Sequence, residues 1–150
     1  MTVPGSYVLV FHLDGAARIE VGKLGTFSFP AGYYCYVGSA RGPGGLRARL
    51  ARHLHQQKKL HWHVDYLLGR ASVVEIWHSP SRERLECLWA QALLALPAAQ
   101  PAVPGFGSSD CSCLTHLLYV APSTLPALHR QLQAVGATLW DREDIAHKTL

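Results

Sequence analysis

The residues with the most chemical potential gather around Tyr33-Tyr34-Cys35-Tyr36-Val37-Gly38-Ser39-Ala40 and the segment from Leu46 to His53 that follows it. The first part is aromatic, β-branched and uncharged, as a buried strand is. Gly42-Pro43-Gly44-Gly45 then breaks the chain. In the second part Leu46, Leu50 and Leu54 form one helical stripe, and Arg49 and His53, four residues apart, lie together beside it. A strand, a tight loop and a helix in this order can place a cation at a phosphate held over a sheet edge. Two more groups join this stretch. Tyr7 follows Gly5-Ser6 at the start of the first apolar run. On a helical wheel Glu86 falls beside Arg82, Trp89 and Leu93 at the margin of the buried face, whereas Glu83 points to solvent. Singly, each has a plain explanation: Tyr7 and Tyr36 as core aromatics, Arg49 as a solvated helix residue, Glu86 as a partner of Arg82 or Arg84.

Charge narrows the ligand. The net charge is +4 over 150 residues, but no acidic residue occurs between Glu20 and Asp65. That interval holds Lys23, Arg41, Arg47, Arg49, Arg52, Lys58 and Lys59, half of the 14 basic residues. A one-sign patch attracts polyanions, though a solvated basic helix face is equally consistent with charge alone. Hydrophobic content of 49% with 16% charge argues against disorder. No apolar run reaches the roughly 18 residues of a membrane span. The first residues lack a charged n-region followed by an apolar core, so a cytoplasmic location and four reduced cysteines are expected.

The elements that must position these groups follow from periodicity. Tyr7–Leu13 is a central strand, Asp14-Gly15 a hairpin signal, and 18–21, 26–29 and 33–38 continue an antiparallel meander. A helix is predicted from about Gly45 to Gln57 and a second over Leu60–Leu68, stopped by Gly69. Ser72–His78 is a strand. Ser79-Pro80-Ser81 predicts a helix start, and that helix runs to about Leu96 with Leu85, Leu88, Trp89, Ala92 and Leu96 inward. After an irregular Pro/Ala connection come a strand over 114–120 and a closing helix from Ser123 to near Gly136. Strands first and helices on the other face give an α+β class: a mostly antiparallel central sheet flanked by helices, in one domain over 1–150. The motif-bearing core spans about 5–120, with a C-terminal helix and tail over 121–150.

The ordered set resembles the GIY-YIG nuclease superfamily, whose signature is a Gly-x-Tyr strand, a Tyr-x-Gly strand, an arginine in the next helix and a glutamate in a later one. The closer resemblance is to its Uri-type branch. It is carried by Val21-Gly22-Lys23-Leu24-Gly25, Gly32 to Ala40, His61-Trp62-His63-Val64-Asp65-Tyr66-Leu67-Leu68 and Phe106-Gly107-Ser108-Ser109-Asp110-Cys111-Ser112-Cys113. The resemblance implies a metal-dependent endonuclease that hydrolyses DNA phosphodiester bonds, in repair or processing, without a covalent intermediate. Glu86 would be the protein ligand of one Mg²⁺ or Mn²⁺ ion. Arg49 would neutralise phosphoryl charge. Tyr7 would help deprotonate the attacking water, with Tyr36 positioning it or sharing that role. A phenol near pKa ~10 is a poor base and needs a proton acceptor beside it, a role that His53 matches. Lys23, Ser39, Arg41, Arg47, Arg52, Lys58, Lys59, His61, Ser108 and Ser109 would face the nucleic acid. The sequence departs from the family pattern twice. The separation of Tyr7 and Tyr36 leaves room for an inserted β-hairpin, and Gly107 to Asp110 stands where relatives carry a late asparagine, with Ser108 or Ser109 as substitute donors.

Two rival readings stay open. The late departure fits a DNA-binding module of nuclease fold with little cleavage activity. His61, His63 and Asp65 with Cys111, Cys113 and His116 allow a zinc-stabilised interaction domain. The single residue between the cysteines instead favours no zinc, with His61 and Asp65 as a structural or DNA-facing pair and Cys35 and Cys87 as core. A domain of this size contacts few base pairs, so high specificity would call for a homodimer or a repair-protein partner.

Overall fold

The two long apolar runs lie side by side at the centre of one sheet. The computed structural model describes residues 3–55, 63–97, 99–102 and 115–140. Strand β1 (Gly5–Leu13) pairs antiparallel with β4 (Gly32–Ala40), setting Tyr7 opposite Gly38 and Leu9 opposite Tyr36. Between them, β2 (Ala17–Val21) and β3 (Gly25–Phe29) pair only with each other, joined by a 3-10 turn over Gly22–Leu24. The inserted hairpin is therefore present, while the continuous meander is not. The other edge of β1 is taken by β5 (Ser72–Pro80).

Helix α1 (Gly45–Leu54) follows β4, and α2 (His63–Leu68) precedes β5. Then come α3 (Glu86–Leu94), β6 (Ala99–Pro101), β7 (Leu117–Val120), α4 (Leu125–Ala134) and β8 (Thr138–Trp140). The six-stranded sheet has the order β6-β7-β4-β1-β5-β8, with every pairing antiparallel. The fold is α+β, an antiparallel sheet flanked by helices.

Alternation along β1 divides the interior in two. Tyr7, Leu9 and Phe11 join Tyr34 and Tyr36 of β4 beneath Leu46 and Leu50 of α1, Val64 and Leu67 of α2, and Ile19, Val21 and Phe29 of the ribbon. Val8 and Val10 join Cys35 and Val37 on the opposite face, under Trp89 and Leu93 of α3 and Leu128 and Leu132 of α4. Helices thus cover both faces, correcting the expectation of one. Burying a Leu-sized side chain stabilises by about 1.5–3 kcal/mol, so each face needs its own cover.

The start of α3 also differs from expectation. Ser79 and Pro80 remain in the ladder opposite Ser6 and Gly5, and Ser81 N–H donates to the Pro4 carbonyl. The helix begins only at Glu86, and its buried stripe is Glu86, Trp89, Ala90 and Leu93. Leu85 and Leu96 fall outside the helix, and Leu88 is 59% exposed. Among the described residues no helix is long and apolar enough to cross a membrane.

Candidate functional site

Two glycines shape the floor of the site. A Cβ on Gly38 would lie 2.5 Å from Cζ and the hydroxyl oxygen of Tyr7, so the bare backbone of β4 is what admits the phenol. A Cβ on Gly5 would lie 2.6 Å from both Leu46 Cδ1 and the Ser79 carbonyl, so Gly5 lets α1 and β5 close on the end of β1. The Gly-x-Tyr and Tyr-x-Gly spacings therefore have a steric cause.

Helix α1 supplies the next groups. The Tyr7 hydroxyl lies 2.7 Å from His53 Nε2, and both residues are buried. The rings of Tyr7 and Tyr36 are 6.4 Å apart, with His53 at 5.4 Å from the first and 6.2 Å from the second. Arg49, half-buried one turn before His53, donates from Nη1 to the Ser39 carbonyl at 2.9 Å and hydrogen-bonds the Tyr7 phenol. The tyrosines, Arg49 and His53 thus converge.

Glu86 arrives from the helix on the opposite face. The Leu85 N–H donates to Ser6 Oγ at 3.3 Å, and Arg41 Nη1 donates to the Arg82 carbonyl. These bonds tie the approach to α3 to the end of the β1–β4 pair. Glu86 is only 8% exposed, and its charge is felt by the Tyr36 phenol.

Residue Asp65 joined the site without a sequence assignment to it. It lies on α2, fully enclosed, with both carboxylate oxygens accepting from Arg52 Nη1 at 3.2 and 3.1 Å. Its Oδ1 is 3.9 Å from His53 Nδ1. The available signal was its position: it closes the acid-free interval and is the first countercharge after seven cations.

The profile of the domain of unknown function DUF123 matches residues 6–137. The chain belongs to the DUF123 family. The match contains Tyr7, Tyr36, Arg49, His53, Asp65 and Glu86, and the family description carries no activity. Comparison with curated proteins and with solved structures returns no match.

Burial governs the electrostatics of this DUF123 site. It pushes the Tyr7 phenol up to about 12, partly offset by the charge and hydrogen bond of Arg49. It pushes Tyr36 up further, reinforced by Tyr7 and opposed by Arg49, with Asp65 and Glu86 adding to the rise. Both phenols are therefore neutral at pH 7, and neither is a standing phenolate base. A proton leaving Tyr7 has an acceptor within hydrogen-bond distance in His53 Nε2.

Glu86 suits a hard cation. Its Oε2 is buried without a hydrogen-bond partner, which is costly for a carboxylate and leaves lone pairs for a metal ion. Mg²⁺ and Mn²⁺ accept one or two carboxylates and keep several waters. Among the described residues no three His, Cys, Asp or Glu side chains form a metal cluster, so Glu86 would act with water and substrate oxygens. Of the groups weighed for zinc, Asp65 faces Arg52 and His53. His116 is buried, with Nε2 3.8 Å from Cys87 Sγ. His61, Cys111 and Cys113 lie outside the described residues. The expectation for Cys87 changes, and that for Cys35 does not. Cys87 is disulfide-bonded and half-buried rather than a reduced core thiol, since α3 turns Glu86, Trp89, Ala90 and Leu93 to the sheet instead. Cys35 is free and buried, and burial raises its thiol to about 12, which leaves it unreactive.

Most of the cations expected to be solvated have partners inside the fold. Arg41 Nε donates to Ser39 Oγ, Arg47 lies over the Trp140 ring with Cζ 5.9 Å from its centroid, and Arg52 faces Asp65. All three are half-buried, as is Ser39, while Lys23 is exposed on the ribbon turn. The basic stretch is therefore partly a packing device. Lys58, Lys59, Ser108 and Ser109 lie outside the described residues.

Proposed function

We propose that this chain is a GIY-YIG-type, metal-dependent endonuclease that hydrolyses DNA phosphodiester bonds. The observation that carries the reading is the 2.7 Å contact between the Tyr7 hydroxyl and His53 Nε2 beside Arg49 and Tyr36. Residues from β1, β4 and α1 meet there, and the partnerless oxygen of Glu86 belongs to a carboxylate whose charge reaches Tyr36.

In this reading Arg49 binds the scissile phosphate and offsets charge developing on its oxygens. Tyr7 accepts a proton from the attacking water while giving its own to His53 Nε2, so no free phenolate forms despite the raised pKa. Tyr36 orients the same water. Glu86 would hold one Mg²⁺ or Mn²⁺, which when bound stabilises negative charge on the leaving oxygen. Lys23 would contact the backbone from the ribbon turn.

The test is a panel of labelled single-stranded, duplex and branched DNA with Mg²⁺ or Mn²⁺. The wild type nicks at least one substrate, and Arg49→Ala and Glu86→Ala each lose about 10²-fold or more. Cleavage that survives both substitutions excludes this site.

A second reading, a DNA-binding module with little cleavage, is favoured by one observation. Tyr7 and Tyr36 are only 1% and 7% exposed, so a phosphate must open the site to reach them. Salt-dependent binding without products on every substrate would support it. Nicking abolished by Glu86→Ala would reject it.

A further inference from the structure

We infer that Asp65 is a positioning residue for proton transfer at this site: it holds His53 with its proton on Nδ1, so that Nε2 is the face offered to Tyr7. The kinetic consequence rests on the nuclease reading; the tautomer does not.

The direction of the Tyr7–His53 hydrogen bond decides whether the phenol can relay a proton. If Nε2 carries the hydrogen, the imidazole donates and the phenol has nowhere to send its own. If Nδ1 carries it, the phenol donates to Nε2 and the relay is open. The surroundings choose between these states. Asp65 Oδ1 lies 3.9 Å from Nδ1, beyond hydrogen-bond length but close enough for the carboxylate's field to act on that nitrogen. Both side chains are shielded, at 1% and 0% exposure, so their interaction is little screened. A carboxylate on that side favours hydrogen on Nδ1. It also stabilises the imidazolium that exists once the proton has moved.

The other groups facing His53 do not supply this field. Tyr7 and Tyr36 are neutral, and Arg49 and Arg52 are cations that oppose a charged imidazole. Arg52 has a separate use. By donating to both Asp65 oxygens at 3.1 and 3.2 Å it gives an enclosed carboxylate a hydrogen-bonded counter-ion and fixes its direction. The chain Arg52–Asp65–His53–Tyr7 runs from α1 to α2, back to α1 and onto β1, so three elements set one hydrogen-bond direction.

The first measurement uses the wild type with ¹⁵N-labelled histidine. At pH values where His53 is neutral, its shifts are expected to report the Nδ1–H form. The Nε2–H form overturns the inference, whether or not the protein cleaves DNA. The second uses Asp65→Asn on the DNA substrate that the wild type nicks. Expected are a kcat about 10²-fold lower, a KM within about threefold, and an acidic limb of the pH profile moved to lower pH. The sign follows because removing the anion makes imidazolium harder to form. An unchanged acidic limb and kcat in a folded Asp65→Asn protein overturn the inference. If that variant does not fold, the wild-type tautomer remains the deciding observation. If the wild type cleaves nothing, the nuclease reading fails and the tautomer still stands or falls alone.

Discussion

The two faces of the central sheet are built from the same strands and filled with opposite chemistry. Under α3 and α4 the layer from β1 and β4 is Val8, Val10, Cys35 and Val37, closed by Trp89, Leu93, Leu128 and Leu132. Under α1 and α2 the alternate residues include Tyr7 and Tyr36, and buried His53 and Asp65 lie among them. A strand with period two can thus give one row to apolar packing and the other to enclosed polar groups. One face obtains stability from apolar area. The other holds enclosed polar groups that are tolerable only because Arg49, Arg52 and the phenol–imidazole contact satisfy them. Glu86 is the exception that joins the faces, for it stands on the apolar stripe of α3 yet acts on Tyr36.

The contrast predicts different injuries. The largest, on the nuclease proposal, is kinetic: Glu86→Gln should reduce nicking by about 10²–10³-fold with a small change in the urea midpoint, read by gel assay and equilibrium unfolding. Next, Leu93→Ala on the opposite face should cost about 2–5 kcal/mol of stability, while activity per folded molecule at low temperature stays near wild type. If Leu93→Ala instead abolishes turnover without lowering stability, the division of labour is wrong. Between the two kinds falls Gly38→Ala, whose methyl must displace the Tyr7 phenol. It should cost about 1–3 kcal/mol and lower kcat as well.

A smaller effect is pH-dependent. Tyr7 titrates near 12 in the folded chain, against about 10 when unfolded. Its burial therefore favours folding below pH ~10, and that contribution is lost as pH rises toward 12. Tyr7→Phe should flatten the alkaline loss of stability by up to roughly 1 kcal/mol per pH unit, measured by urea unfolding at pH 9 and 11. The smallest change is Leu88→Gln on exposed α3 surface, within about 0.5 kcal/mol of wild type.

Much of the site was legible because its signals are local. Gly5 to Tyr7, Tyr36 to Gly38 and the four-residue step from Arg49 to His53 each lie within one element. Glu86 was separated from Glu83 by its place on a helical wheel, and Glu86 is buried while Glu83 is exposed. What stayed hidden depends on partners distant in sequence. The meander failed because β1 has two other neighbours, β4 and β5, and local turn chemistry does not register that competition. The helix start near Ser81 failed because Ser79 and Pro80 pair with β1, which propensity cannot foresee. Strand β8 was missed since three residues carry almost no periodic signal. The contacts of Asp65 with Arg52 and His53 stayed hidden because they cross from α2 to α1, which helical spacing within one segment does not register.

The β2–β3 ribbon has the hydrogen bonding of an ornament, sharing no ladder with the main sheet. Its side chains say otherwise, for Ile19, Val21 and Phe29 are enclosed with Phe11, Leu13 and Tyr34. Excising 14–31 and splicing the flanking strands with a short turn would leave the β1–β4 register near Tyr7 intact but strip the roof from Phe11, Leu13 and Tyr34. A version of this domain lacking the insertion would expose that apolar end of the sheet unless a bulkier neighbouring loop or another molecule's surface took the ribbon's place.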